Sequence, residues 1–207
     1  MAVPDRTIDP KILENAKREF LANGFEKTSL KVICDQAGIT TGALYKRYRG
    51  KEDLFRAVVE DTVNDLNAVA RQRGEKDASL MSDQELIHAW YMDPEDMMWW
   101  FRFLYKRRDG FVLLLKCSEG TAYSNFQHDW VEILTEATSN FLREAQKRGL
   151  CRKDISEMEL HILLSSFWTT IYEPFIHGFS WDEIERHCEI VTKLFDWHEA
   201  FQFRCPT

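Results

Sequence analysis

Apolar side chains recur every three or four residues along most of this chain, which is the spacing of an amphipathic helix. The pattern predicts a first helix over 9–23, which Gly24 ends. A second, shorter helix follows, with Thr28 or Ser29 as its cap and Gly38 as its end.

A third short helix begins at Thr40 directly after that turn, and Ala43, Leu44 and Tyr48 form its buried side. Two short helices joined by a tight turn that contains glycine form a helix-turn-helix unit. The next helix is longer, and its apolar stripe runs over 51–74.

Beyond a linker at 74–81, five further helices are indicated by S-x-x-E capping boxes, a helix-starting proline and apolar periodicity. Their predicted starts are Ser82, Pro94, Thr121, Ser156 and Ser180. The last two are predicted over 157–177 and 181–198. No segment alternates like a strand over more than a few residues, so we expect an all-α fold of about nine helices.

The net charge of −7 conceals two unlike parts. Residues 1–56 carry 11 Lys+Arg against 8 Asp+Glu, whereas residues 57–207 carry 16 against 26. The basic excess is concentrated over 40–51, which contains no acidic residue. We therefore predict two domains, 1–56 and 57–207, of which the first has the charge that suits phosphate.

Several classes of protein are disfavoured by what the sequence lacks. The five cysteines contain no C-x-x-C pair and the six histidines are scattered, so we expect reduced thiols, no metal site and no cofactor. No apolar run approaches the roughly 18 residues of a membrane helix, which favours a cytoplasmic protein. Neither a G-x-S-x-G elbow nor a phosphate-binding glycine loop occurs, so an enzyme is not expected.

The run ITTGALYKRYRGKEDL at 39–54, preceded by GFEKTSL at 24–30, resembles the tetracycline-repressor (TetR) family of bacterial transcription regulators. The resemblance covers about residues 9–60. It is specific, because several family elements occur together and in order. Gly50 and Tyr48 depart from it, since the family more often has Ser or Asn and Phe at those positions.

The resemblance implies that the third helix reads DNA. Thr41 suits a base edge, and Lys46 and Lys31 are long enough to reach guanine acceptors. Thr40 is either a base contact or a plain helix cap, and Tyr45 is either a phosphate contact or a half-buried core aromatic. The predicted DNA contacts are Thr28, Ser29, Lys31, Thr40, Thr41, Gly42, Ala43, Tyr45, Lys46, Arg47, Arg49 and Lys51.

For the C-terminal part the resemblance implies an apolar ligand pocket and a homodimer built by the last two helices. The aromatic side chains there are either pocket or core, and the acidic balance hints at a cationic ligand. The candidate ligand contacts are Trp99, Phe103, Phe126, Trp130, Phe167, Trp168 and Tyr172. The candidate dimer contacts are Ile171, Phe175, Ile184, Cys188, Val191 and Phe195.

The function expected from these residues is a transcriptional regulator, in the family most often a repressor. It would bind a palindromic operator in double-stranded DNA as a homodimer and release it when a small apolar or cationic aromatic molecule binds. The alternative is a helical small-molecule-binding or adaptor protein that has lost DNA binding. The intact set Tyr45, Lys46, Arg47 and Lys51 argues against that alternative.

Overall fold

A computed structural model describes residues 9–204, and within them it shows eleven α-helices, one 3-10 turn and no strand. The helices are α1 (Asp9–Lys27), α2 (Leu30–Ala37), α3 (Thr41–Tyr45), α4 (Lys51–Gly74), α5 (Asp83–His88), α6 (Pro94–Tyr105), α7 (Arg108–Lys116), α8 (Phe126–Arg148), α9 (Glu157–Ile176), α10 (Trp181–Leu194) and α11 (Trp197–Ala200). The predicted all-α fold is confirmed. The two helices beyond the nine expected are α7 and the short α11.

The chain forms two compact units. One comprises the residues up to Asp65 together with Arg107–Phe126, and the other comprises Leu66–Lys106 and the residues from Gln127 onward. Both α4 and α8 contribute residues to each unit. The division at residue 56 that the charge suggests stays a prediction.

The first unit is built around a cluster of phenylalanine rings. Phe20 and Phe55 are completely buried, with ring centroids 5.1 Å apart, and Phe25 lies 5.6 Å from Phe55. Phe25 reaches this position because Gly24 interrupts α1 at φ 74°, a left-handed value that favours glycine. The Phe25 N–H then donates to the Cys117 carbonyl at 2.9 Å, which fixes the end of α1.

The second unit contains the aromatic interior and an ordered connection before α5. Arg148 donates to the carbonyls of Ser79 and Met81 and pairs with Asp83, so it holds the segment predicted as a linker against the end of α8. The three predicted capping boxes at Ser82, Ser156 and Ser180 are confirmed, each with reciprocal hydrogen bonds.

Pro174 lies inside α9 and has no N–H to offer the Thr170 carbonyl one turn earlier. That carbonyl lies 2.8 Å from Nε2 of His187 on α10. Because of the proline, the Thr170 carbonyl has no partner within α9 at that position and is free to contact His187 of α10.

Candidate nucleic-acid interface and ligand cavity

The helix-turn-helix consists of α2, a left-handed Gly38 and α3. Gly38 has φ 72° and ends α2, and the Ile39 N–H returns to the Cys34 carbonyl at 3.0 Å. Thr40 caps α3, because its Oγ1 accepts from the Ala43 N–H at 3.1 Å. Ser29 holds the corresponding position before α2 but makes no side-chain capping bond.

One face of this unit presents small and basic groups to solvent. Leu44 is completely buried and anchors α3, whereas Tyr45 is 57% exposed, so Tyr45 is not a core aromatic. Ala43 is partly exposed. The exposed members of the predicted DNA-contact set are Ser29, Lys31, Thr40, Thr41, Gly42, Tyr45, Lys46 and Arg49.

Thr28 is not on that face. It is buried, and its hydroxyl donates to the carbonyls of Glu19 at 3.1 Å and Gly24 at 2.7 Å. The expected contact between the Thr28 side chain and DNA is therefore corrected. The hydroxyl satisfies carbonyls at the interrupted end of α1, and the residue is only 4% exposed, too little for a phosphate contact.

Arg47 and Lys51 also bind the chain itself. The Arg47 Nε pairs with Asp9 Oδ1 at 2.6 Å and its Nη1 donates to the Ala43 carbonyl at 3.2 Å, so Arg47 joins α1 to α3. The Lys51 ammonium donates to the Glu26 carbonyl at 2.8 Å and the Thr28 carbonyl at 3.1 Å, and lies 4.6 Å from the Phe25 ring centre. Both side chains hold the helices that carry the exposed face.

An open groove of about 590 Å³ lies beside the first turn of α4. Arg49, Lys51, Arg56 and Tyr123 line it together with the carboxylates of Glu52 and Asp53, and Arg56 donates to Asp53 at 2.5 Å. That hydrogen bond, with a second from the Arg49 N–H, holds the pKa of Asp53 below its usual value. Free N–H groups at a helix start and nearby cations suit a phosphate oxygen.

The aromatic residues predicted to bind a ligand are not all brought together. Trp99 is 46% exposed and stacks on Phe103, with ring centres 5.0 Å apart. Trp130 and Tyr172 are buried against Trp168. Phe126 is buried in the first unit. None of these five residues is among those that line the cavity of the second unit.

A cavity of about 100 Å³ does occur in the second unit, and two of the candidate ligand contacts, Phe167 and Trp168, line it. The lining residues that sequence reasoning missed include Arg73, Trp90, Trp100 and Trp197. Leu66, Ala70 and Arg73 follow one another at helical spacing and therefore share one face of α4. A charged residue on that apolar face was the signal in the sequence that could have identified Arg73.

The predicted dimer contacts lie mainly inside the chain. Ile171, Phe175, Ile184, Cys188 and Val191 are at most 3% exposed, so the chain's own packing covers them and this part of the prediction is corrected; Phe195 is partly exposed. Other apolar side chains are exposed on the same two helices: Met158, Ile162, Ile190 and Leu194, which are 55% to 67% exposed.

Residues 9–204 contain neither a metal-binding cluster nor a membrane-spanning helix. No group of three or more His, Cys, Asp or Glu side chains is arranged to hold a metal ion. No helix in that range is both long and apolar enough to cross a membrane. Cys34, Cys117, Cys151 and Cys188 are free thiols, and Cys205 lies outside the described residues.

Residues 12–58 match the family model of bacterial regulatory proteins of the tetR family. The HTH-type transcriptional regulator UidR of Escherichia coli strain K12 is 40% identical over 58 residues, which are 28% of this chain and 28% of UidR. The segment that matches the family model, residues 12–58, contains most of α1, then α2, α3 and the first turns of α4. The likeness to UidR spans little more than a quarter of the length of either chain.

Two other proteins are similar over most of the chain. The HTH-type transcriptional repressor AcnR of Corynebacterium diphtheriae is 24% identical over 185 residues, or 87% of each chain. The crystal structure of the transcriptional regulator FadR from Bacillus subtilis in complex with stearoyl-CoA covers 90% of this chain and 97% of its own at a TM-score of 0.58, with 12% identity. At that identity the likeness shows the fold.

Proposed function

Because the chain belongs to the TetR family of bacterial transcriptional regulators, whose members bind DNA and are not enzymes, we propose that it is a ligand-responsive repressor of the cytoplasm that binds a palindromic operator as a homodimer. The observation that carries the proposal is the exposed face of α3, where Thr41, Gly42, Tyr45 and Lys46 are free to enter a major groove. Its repressor mode is supported by the similarity to AcnR.

Within that face we assign base reading to Thr41 in α3 and to Lys46 directly after it, because both side chains are exposed and carry hydrogen-bonding groups suited to base edges. Tyr45, Arg49, Ser29 and Lys31 surround them and supply sequence-independent phosphate contacts. Lys51, Arg47 and Thr28 support this surface from within.

The homodimer contact that we propose is the apolar face of Met158, Ile162, Ile190 and Leu194 on α9 and α10. Apolar side chains at i and i+4 on both helices form a stripe that water solvates poorly. A second copy of the chain offers the same stripe, and two-fold pairing of two recognition helices then requires a palindromic operator.

The effector is proposed to bind in the second unit, where the aromatic cavity lies. The FadR structure with stearoyl-CoA supports a small-molecule role for this fold. Such a ligand regulates only by having different affinities for the DNA-binding and DNA-free conformations, because equal affinities shift no equilibrium. Helix α4 has residues in both units, so a conformational change caused by the ligand in the second unit can reach the DNA-binding unit along this helix.

The experiment is selection of binding sites from a random double-stranded DNA pool with the full chain, followed by anisotropy titration of the enriched site. Thr41→Ala should change preference at one base position, at a cost of about 1–3 kcal/mol there. Tyr45→Phe should lower the binding affinity for all DNA sequences by the same factor, because only a phosphate contact is lost.

Tyr91→Phe is the matched control, since Tyr91 is 54% exposed in the second unit. It should leave DNA affinity unchanged. Enrichment of no sequence would contradict the proposal and favour the adaptor alternative. Equal loss of specificity in Thr41→Ala and Tyr45→Phe would contradict the division between base and phosphate contacts.

A further inference from the structure

The cavity in the second unit lies beside a wider groove that shares four of its wall residues. The inner cavity of about 100 Å³ is walled by Trp90, Trp100, Trp168 and Trp197. The adjoining groove has about 440 Å³, and both share Arg73, Ala89, Trp100 and Leu134. Arg73 therefore stands where the two spaces meet. Together they reach the size of an ordinary small-molecule site.

Arg73 is a packed cation without a carboxylate partner in the described part of the chain. Its Nε donates to Thr138 Oγ1 at 3.1 Å and its Nη2 to the Ala89 carbonyl at 3.2 Å, and its guanidinium carbon lies 4.8 Å from the Phe141 ring centre. These contacts use two of the five N–H donors of a guanidinium. Burial lowers the Arg73 pKa to about 10, so the group stays charged at neutral pH.

A second donor at the same cavity lacks an acceptor. The Trp90 indole is 4% exposed, and its Nε1 has no hydrogen-bond partner among the described residues. The ring itself is fixed by edge contact with Phe201 at 5.2 Å. A buried N–H without an acceptor costs about 1–3 kcal/mol, and a ligand oxygen would remove that cost.

The charges around the two spaces favour an anion. Among the described residues, no carboxylate lines the inner cavity. The outer groove contains the cations of Arg73 and Lys76 against the single carboxylate of Glu85, so positive groups outnumber negative ones there. The overall acidity of the C-terminal part suggests a cationic ligand, but the Arg73 guanidinium at the cavity would repel one.

We propose that this site binds a carboxylate with an apolar body, with its head group on Arg73 and the Trp90 indole N–H and its body against the tryptophan walls. The assignment deepens the proposed function, because it names the chemical class of the effector. A guanidinium pairs two N–H groups with a carboxylate in a bidentate geometry, and aromatic walls reward a flat ring. The inner cavity of about 100 Å³ is smaller than the roughly 150 Å³ that accommodates benzene, so it suits an alkyl segment, and a ring would extend into the adjoining groove.

The test is calorimetric titration of the full chain, without DNA, with three molecules of one shape: 3-phenylpropionate, 3-phenylpropionamide and 3-phenylpropylammonium. The carboxylate should bind about 10- to 100-fold more tightly than the amide, which is the range for a hydrogen bond to a charged group. The ammonium should bind most weakly. Because no operator is present, a failure of DNA binding leaves this result standing.

Arg73→Gln should remove the preference for the carboxylate and leave amide binding nearly unchanged. Arg71→Gln is its matched control, since Arg71 is exposed on the same helix. Trp90→Phe should reduce carboxylate affinity while keeping an aromatic wall. Trp130→Phe removes the same kind of buried, unpartnered N–H away from the cavity and should have no such effect.

Circular dichroism checks that each variant is folded. If Arg73→Gln does not fold, the comparison of Trp90→Phe with Trp130→Phe tests the proposed anion site. Equal affinity for carboxylate and amide, or a preference for the ammonium, would overturn the assignment of Arg73 as an anion site. Binding of none of the three would overturn the proposed ligand class.

Discussion

The cysteines of the described region lie in the interior. Cys34, Cys117, Cys151 and Cys188 are buried, and burial raises the pKa of each thiol, that of Cys151 to about 11. A thiol reacts as its thiolate, so a raised pKa and burial both slow alkylation at pH 8.

We therefore expect iodoacetamide at pH 8 to leave these four thiols unmodified in the native protein and to modify all four in guanidinium. Peptide mapping by mass spectrometry measures this. Rapid native alkylation of any of the four would show that the thiol is accessible.

At the residue scale, the sequence reveals which side chains suit DNA but not which are already engaged. Thr28, Arg47 and Lys51 have appropriate chemistry, yet their partners are Gly24, Asp9 and Glu26. These partners come from α1 and its end, and helical periodicity within α3 and α4 carries no information about contacts between helices.

Among the helices, α4 and α7 approach closely through Gly110. A methyl group on Gly110 would lie 2.1 Å from Thr62 Oγ1 and 3.1 Å from Thr62 Cβ, and both residues are buried. Gly110→Ala should therefore lower the free energy of unfolding by about 1–3 kcal/mol, the usual cost of overpacking.

Urea denaturation provides the measurement. Gly42→Ala is the control, because the contact that its added methyl would make with Thr40 Oγ1, at 3.9 Å, is an ordinary van der Waals distance. Thr62→Ala combined with Gly110→Ala should recover part of the loss, since the clashing hydroxyl is gone. An unchanged unfolding midpoint in Gly110→Ala would contradict the close approach.

Helix starts were predictable wherever a cap is local. The boxes at Ser82, Ser156 and Ser180 join residues three apart, so the sequence contains the whole interaction. The start of α8 was placed at Thr121 but occurs at Phe126, because Thr121 and Ser124 hydroxyls donate to the Ser118 carbonyl and hold a series of turns. Helix α7 was missed, since Asp109–Gly110 is typical of a turn.

At the scale of the whole molecule, the fold class and the DNA-binding region were predictable because the helix-turn-helix pattern is compact in sequence. For the proposed effector site the sequence indicated Phe167 and Trp168 but not Arg73, Trp90 or Trp197, since these residues are distant in sequence and meet only through packing. The expected dimer contacts turned out to be buried for a related reason: α9 is apolar on more than one side, and the pattern does not say which side the chain covers.

The last prediction concerns that face. Leu194 is 66% exposed and Ile190 is 64% exposed, and they lie one turn apart on α10. In a homodimer built on this stripe, Leu194→Glu or Ile190→Glu would bury a carboxylate without a partner, which is strongly destabilising for the interface. Size-exclusion chromatography with light scattering should then show a monomer that keeps the helical circular-dichroism spectrum of the parent chain, although it loses the stability that association contributes. Operator affinity should fall, because a single half-site provides too few contacts.

Leu80→Glu is the matched control, since Leu80 is 83% exposed outside α9 and α10. It introduces the same charge and should remain dimeric. Val191→Glu separates folding from association: Val191 is 1% exposed, so its charge would enter the chain's own interior and lower the melting temperature. If Leu194→Glu and Ile190→Glu stay dimeric with full operator affinity, the two copies associate through another surface.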